Sequence, residues 1–213
     1  MNIEIMEEQY HFQADWFSHN IPPLEIIFNE IKPKKILEIG SFEGRSTKFF
    51  IEMSAKYTDE LEIHCIDSWE GGQEHVNKWD MSSVEQTFAH NINLVLSQAT
   101  NSVKVMKYKG YSHERMIELL AKGYSNYFDF IYVDGSHEAP DVLFDALLAH
   151  RLVKVGGVIA FDDYLWSPNE KTEDDHYLLV KPAVDHYVNT YKRKVHVIQQ
   201  LPLYQLYVLK LAD

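Results

Sequence analysis

The stretch Leu37-Glu38-Ile39-Gly40-Ser41-Phe42-Glu43-Gly44-Arg45-Ser46-Thr47 decides the fold. Lys35 to Ile39 is a short apolar run of strand type, closed by Gly40. A glycine-punctuated turn leads from it into Ser46 to Lys56, which places Phe49, Phe50 and Met53 on one helical face. Strand, glycine turn and helix open a doubly wound α/β sheet, whose ligands lie beyond the carboxyl ends of the strands. A dinucleotide turn would read Gly-x-Gly-x-x-Gly, whereas here Gly40 and Gly44 enclose three residues and Glu38 stands two positions before the first glycine. An acid there sits poorly beside a pyrophosphate and suits a ligand with a positive charge, such as an amino group. Glu38, Gly40, Ser41, Gly44, Ser46 and Thr47 are the candidate binding residues of this turn, and a plain tight turn is the alternative reading.

Outward from this unit, apolar runs and amphipathic stretches alternate. Further strand candidates are Leu61 to Ile66, closed by Asp67; Val103 to Tyr108; Phe128 to Val133, closed by Asp134; and Gly157 to Phe161, closed by Asp162. The near-continuous apolar character of the last two fits strands buried on both faces of a parallel sheet. Helical spacing covers Ser83 to Leu96, Ser112 to Ala121, and Ala139 to Leu152 with Val142, Leu143, Ala146 and Leu147 on one side. After Gly157 a helix over Val180 to Tyr191 precedes two strands, Val195 to Gln200 and Tyr204 to Leu209, with only Leu201 to Leu203 between them, which is hairpin length. Pro22-Pro23 stops one segment, and Leu24 to Ile31 begins another. Residues 1–30 read as a lead-in and 31–213 as the domain. Ser167 to His176, rich in charge, reads as a mobile surface loop.

Composition narrows the function. A chain of 213 residues, 46% hydrophobic and 24% charged, builds one domain with a sizeable core. Its net charge of −12 disfavours a nucleic-acid partner. The basic cluster from Tyr191 to Lys194 reads as a solvated helix end. The lone cysteine, Cys65, lies in an apolar run, so it reads as a core residue in a reducing compartment. Met1 to Tyr10, with Glu4, Glu7 and Glu8, lacks a signal-peptide pattern, and no apolar run approaches the length of a membrane span. These features predict a cytoplasmic protein with no membrane partner.

Asp67, 27 residues after Gly40, can accept both hydroxyls of a ribose, with a simple loop cap as the bland alternative. Ser68 and Trp69 follow it and can cover an adenine edge. Ser112, after Gly110-Tyr111, combines a helix N-cap with an adenine contact. Asp134, Asp162 and Asp163 close neighbouring strands and converge on one edge, where carboxylates repel unless a cation or protons intervene. Oxygen ligands of this kind favour Mg²⁺ or Ca²⁺. His137, three residues past Asp134, is the candidate general base. The other ten histidines show no metal-binding spacing.

The glycine turn, Asp67, Val133-Asp134-Gly135-Ser136-His137 and Phe161-Asp162-Asp163-Tyr164 together resemble class I S-adenosylmethionine (SAM)-dependent methyltransferases. More narrowly they resemble methyltransferase family 24, related to the macrolide-sugar O-methyltransferases. The resemblance runs from Ile36 to the carboxyl terminus. It implies a Rossmann-like seven-stranded sheet of order 3-2-1-4-5-7-6 with the seventh strand antiparallel. It also implies SAM as cofactor, bordered by Asp134 and His137 as well as the residues above, and a small-molecule hydroxyl, of sugar or phenol type, as acceptor. In the metal-dependent relatives three positions like Asp134, Asp162 and Asp163 hold Mg²⁺. Those relatives often carry a further acid where this chain has Gly135-Ser136. Asp15 to Pro22 resembles the start of such proteins, and Phe88 to Asn91 a further family pattern without assigned chemistry. Trp166 to His176, the amino-terminal segment and Gly71 to Met81 are the expected acceptor wall, with Trp79 and Trp166 able to stack on a ring or simply pack. A homodimer is the common state for such small enzymes. The rival readings are a non-catalytic SAM-binding protein and a nicotinamide-dependent oxidoreductase, which would need the tighter glycine pattern. A nucleic-acid methyltransferase would show an Asn/Asp-Pro-Pro-Tyr-like motif after the fourth strand, where this chain has Asp134-Gly135-Ser136-His137.

Overall fold

The computed structural model describes residues 9–72, 79–168 and 175–213. Its strands are β1 (Lys35–Ile39), β2 (Glu60–Asp67), β3 (Ser102–Lys109), β4 (Phe128–Val133), β5 (Val153–Phe161), β6 (Val195–Val197) and β7 (Leu206–Lys210). Its α-helices are α1 (Ile21–Ile31), α2 (Arg45–Ser54), α3 (Val84–Gln98), α4 (Ser112–Ala121), α5 (Ala139–Leu152) and α6 (Val180–Thr190). The strands form one sheet in the order β3-β2-β1-β4-β5-β7-β6. β1 to β5 run parallel, and β7 is antiparallel to both β5 and β6. This is the order and sense that the family resemblance implied.

Alternation along the strands builds two cores. Ile36 of β1 joins Phe28, Phe50, Ile63, Phe130 and Tyr132 on the face covered by α1, α2 and α3. Leu37 and Ile39 join Ile131, Met116, Ala146 and Val184 on the face covered by α4, α5 and α6. Cys65 is fully buried in the first core, as expected. At the far edge the Lys210 ammonium, 1% exposed, donates to the carbonyls of His150 and Val153 at 2.8 and 3.0 Å and so caps the end of α5. Among the described residues no helix is long and apolar enough to cross a membrane.

Three boundaries differ from the sequence reading. Pro22 and Pro23 do not stop a segment; they occupy the first turn of α1, where a missing N–H costs nothing. β5 starts at Val153, not Gly157: Val153 pairs with Phe128 and a register shift follows before Phe130. Gly157 permits that irregularity, because a Cβ there would lie 2.8 Å from the Asp129 carbonyl oxygen. The β6–β7 hairpin is present, but its connection spans residues 198–205, with Val197 and Val208 as the last registered pair. The expected loop Ser167 to His176 lies mostly outside the described residues, as does much of Gly71 to Met81.

Candidate active site

The carboxyl ends of the central strands are laced together across the sheet. Gly40 N–H donates to the Ile66 carbonyl, Gly110 N–H to Asp67, Asp134 N–H to Ile39 and Asp162 N–H to Val133, all within 2.8–2.9 Å. Gly40 has φ +84°, and a Cβ on it would lie 1.7 Å from the Asp134 carbonyl oxygen. Its glycine is thus required by β4's closing turn and not only by a ligand. Gly44 has φ +80° and N-caps α2, and a Cβ there would press on Phe88 and Ile92 at 3.1 Å.

Glu38 is fully buried beneath this turn. Ser41 Oγ and Ser46 Oγ each donate to its carboxylate at 2.6 Å, and Thr47 Oγ1 donates as well. Burial raises the Glu38 pKa, and these three hydroxyls and the Cys65 thiol oppose that rise. The hydroxyl protons point at Glu38, so the hydroxyl oxygens keep their lone pairs for other donors. Asp67 is held by backbone: Phe42 N–H donates to Oδ2 at 2.7 Å and Trp69 N–H to Oδ1 at 2.6 Å. The Trp69 indole N–H donates to the Phe42 carbonyl at 2.9 Å, its ring packs on Phe88, and the Lys107 ammonium lies 4.4 Å from its centroid. Ser68 Oγ accepts from Glu70 N–H at 3.2 Å. Ser112 opens α4, and its hydroxyl donates to Asp145 at 2.7 Å.

The β4 and β5 ends carry the other acids. Burial, followed by the charges of Asp162, Asp163, Glu38 and Asp67, drives the Asp134 pKa well above its usual value. Asp162 is 6% exposed and saturated with donors. Asn20 Nδ2 reaches both of its oxygens at 3.1 and 3.0 Å, Tyr132 OH donates at 2.5 Å, Gln205 Nε2 at 3.0 Å and Asp163 N–H at 2.9 Å. Burial and the Asp163 charge still push its pKa up to about 6. Asp163 turns the other way, with φ +53°. His137 Nε2 lies 2.9 Å from its Oδ2, and Tyr204 OH donates to its Oδ1 at 2.9 Å. The His137 ring packs against Trp166 at a tilt of 41°, with centroids 4.2 Å apart.

Asp134, His137 and Asp163 thus come together, with one ligand atom from each within 4.8 Å of the others. Asp162, expected beside Asp134 and Asp163 as a metal ligand, is not in this group; its oxygens accept from Asn20, Tyr132 and Gln205. Sequence reasoning missed Asn20, Tyr132, Tyr204, Gln205 and Asp145. Only their tertiary partners mark them. The lead-in packs on the first turn: Arg45 donates to the Ala14 carbonyl at 3.0 Å, Gln13 N–H donates to Glu43 at 2.8 Å, and Trp16 meets Phe42 tilted at 5.3 Å and Trp79 edge-on at 5.0 Å. Asn91, in the unassigned Phe88 to Asn91 pattern, ties this segment down through the carbonyls of His11 and Glu43 at 2.7 and 2.8 Å.

An edge built this way, with a buried acid behind the first turn, a backbone-held acid on β2 and Gly40 and Gly44 spaced unlike a dinucleotide turn, fits a Rossmann-like fold of methyltransferase type. The family profile described as "Methyltransferase domain" matches residues 37–164, so the chain belongs to that family, in agreement with the family 24 resemblance. It is 25% identical over 175 residues to "Probable caffeoyl-CoA O-methyltransferase 3" of Dictyostelium discoideum, covering 78% of this chain and 61% of that protein. The chain therefore spans about three fifths of that relative's length. In structure it is similar to an O-methyltransferase from Bacillus cereus in complex with SAH, with a TM-score of 0.64, 16% identity and coverage of 93% of this chain and 84% of the other. It is also similar to the MycE methyltransferase of the mycinamycin biosynthetic pathway in complex with Mg and SAH, with a TM-score of 0.57, 15% identity and coverage of 95% and 51%.

Proposed function

We propose that this protein is a SAM-dependent O-methyltransferase acting on a hydroxyl of a small molecule of sugar or phenol type. The observation that carries this reading is the sign of the site. Glu38, Asp67, Asp134, Asp162 and Asp163 converge on one edge closely enough that four of them raise the pKa of the fifth. Such an edge repels the pyrophosphate of a nicotinamide cofactor and attracts the ammonium and sulfonium of SAM. Ser41, Ser46 and Thr47, with their protons on Glu38, accept from the ammonium, while Asp67 accepts the ribose hydroxyls. Gly40 and Gly44 shape the turn, and Ser68, Trp69 and Ser112 border the adenine.

In the reaction the acceptor oxygen attacks the methyl carbon in line with the C–S bond. The O–C bond forms as the C–S bond breaks, the electron pair stays on sulfur, and the acceptor proton leaves to His137. Asp163 orients His137, and most of the acceleration comes from holding the acceptor oxygen in line with the methyl–sulfur bond in a confined site, where the charge lost at sulfur appears on the protonated His137. A divalent ion such as Mg²⁺ would be held by Asp134 and Asp163, with Asp162 in the adjoining network of Asn20, Tyr132 and Gln205. A bound ion there would supply a lowered hydroxyl pKa. We further assign 31–213 to the methyltransferase domain and 1–30 to its acceptor-side wall, and place the enzyme in the cytoplasm.

Calorimetric titration with S-adenosylhomocysteine, with and without Mg²⁺ and with NAD as control, tests the reading. Binding of the nucleoside product but not NAD is the expected outcome. NAD binding, or silence with both, overturns it.

A further inference from the structure

Behind Ser112 stands a carboxylate that the reaction does not use. Asp145, on the interior face of α5, is 1% exposed. Its Oδ1 accepts the Ser112 hydroxyl at 2.7 Å, and its Oδ2 has no hydrogen-bond partner among the described residues. Oδ2 lies 3.8 Å from where a Cβ on Gly135 would stand. The pair therefore spans the loop after β3 and the loop after β4, the two walls on the α4–α5 side of the cleft over β1 and β2. Gly110, two residues before Ser112, is bonded to the Asp67 carbonyl at 2.9 Å, which places Ser112 beside the strand end that holds the ribose acid.

A helix-interior acid with half of its carboxylate unsatisfied is costly, and packing alone would be better served by an apolar residue. What Asp145 does achieve is to fix the direction of one proton. With its hydrogen on Asp145, Ser112 Oγ offers only lone pairs to whatever lies in front of it. Glu38 does the same to Ser41, Ser46 and Thr47 at the other end of the cleft. A purine with an exocyclic amino group presents hydrogens and is accepted. A 6-oxopurine presents a carbonyl and meets lone pair against lone pair.

We propose that Asp145 is a specificity-determining positioning residue which, by holding the Ser112 hydroxyl proton, makes the base subsite select a 6-aminopurine over a 6-oxopurine. The proposal deepens the S-adenosyl reading and rests on it. A base that cannot donate to Ser112 Oγ leaves polar groups uncompensated, which is a known source of large discrimination.

The test is calorimetric titration with S-adenosylhomocysteine and with its 6-oxo counterpart, S-inosylhomocysteine. The wild type should prefer the amino compound by at least about tenfold. Asp145→Asn, whose amide can donate to Ser112 and release its proton toward the ligand, should shrink the preference to within about threefold. Ser112→Ala should shrink it equally, and the double variant no further, since the two residues act as one unit. Ser112→Ala also decides the matter if Asp145→Asn does not fold. Equal binding of both compounds by the wild type, or an unchanged preference in both variants, overturns the proposal while leaving the S-adenosyl reading intact. Failure of the wild type to bind either compound overturns that reading and this proposal together.

Discussion

The acids at the ends of β1 and β2 and those at the ends of β4 and β5 share one sheet edge but are held in different ways. Glu38 takes its donors from Ser41, Ser46 and Thr47, all within nine residues, and Asp67 takes one of its amides from Trp69 two residues on. Asp162 and Asp163 are held by Asn20, Tyr132, Tyr204 and Gln205, between 30 and 142 residues away. The acids on the proposed nucleoside side are thus held by local sequence and those on the proposed acceptor side by tertiary convergence.

The change that breaks both halves at once has the largest expected effect. Gly40→Ala would set a Cβ against the Asp134 backbone at a φ that L-residues rarely adopt, and should cost more than about 4 kcal/mol in denaturant unfolding. An unfolding midpoint like that of the wild type would show that the two halves do not touch as described.

Next comes Asp145, on the nucleoside side yet without a full donor set. Burial pushes its pKa up to about 7. An acid whose folded pKa is raised binds its proton more tightly in the folded state, so its contribution falls as pH rises from about 4, the unfolded value, through about 7. Asp145→Asn should therefore match the wild type in stability near pH 4 and exceed it at pH 8 by up to about 4 kcal/mol. Parallel stability curves across that range would remove the buried charge from the account.

Asp67 and Asp162 separate the halves by function. Asp67→Ala should weaken S-adenosylhomocysteine about 100-fold, the loss of two hydrogen bonds to a charged group. Asp162→Ala should leave that affinity within about threefold while lowering stability by about 2–3 kcal/mol, because Asn20, Tyr132 and Gln205 lose their acceptor. Equal losses of affinity in the two variants would erase the distinction. The smallest effect belongs to Tyr204→Phe, which removes one hydrogen bond to Asp163 and should cost about 1 kcal/mol in thermal unfolding without changing nucleoside affinity.

The same division explains what could be read from the chain. The strands themselves, α4 over Ser112–Ala121 and α5 over Ala139–Leu152 follow from periodicity and turn chemistry, which are local, whereas the strand order came with the family resemblance. Glu38, Asp67 and the glycine turn stand in one short span and its neighbouring strand, so they too were legible. The prolines of α1 misled because a first turn tolerates what a helix interior does not. The start of β5 was hidden by Gly156-Gly157, whose bulge looks like a loop in sequence. Asp162 carries the same strand-end pattern as Asp134. Nothing in that pattern announces that Asn20 and Gln205 fill its oxygens and leave Asp163 to face His137.

Where a nucleoside lies is decided by a crystal structure of the complex with S-adenosylhomocysteine. The ribose hydroxyls are expected on the Asp67 carboxylate, the amino group against Ser41, Ser46 and Thr47, and the sulfur directed toward Asp134 and His137. A nucleoside bound away from the β1 and β2 ends, with Asp67 still bonded only within the protein, would contradict that placement.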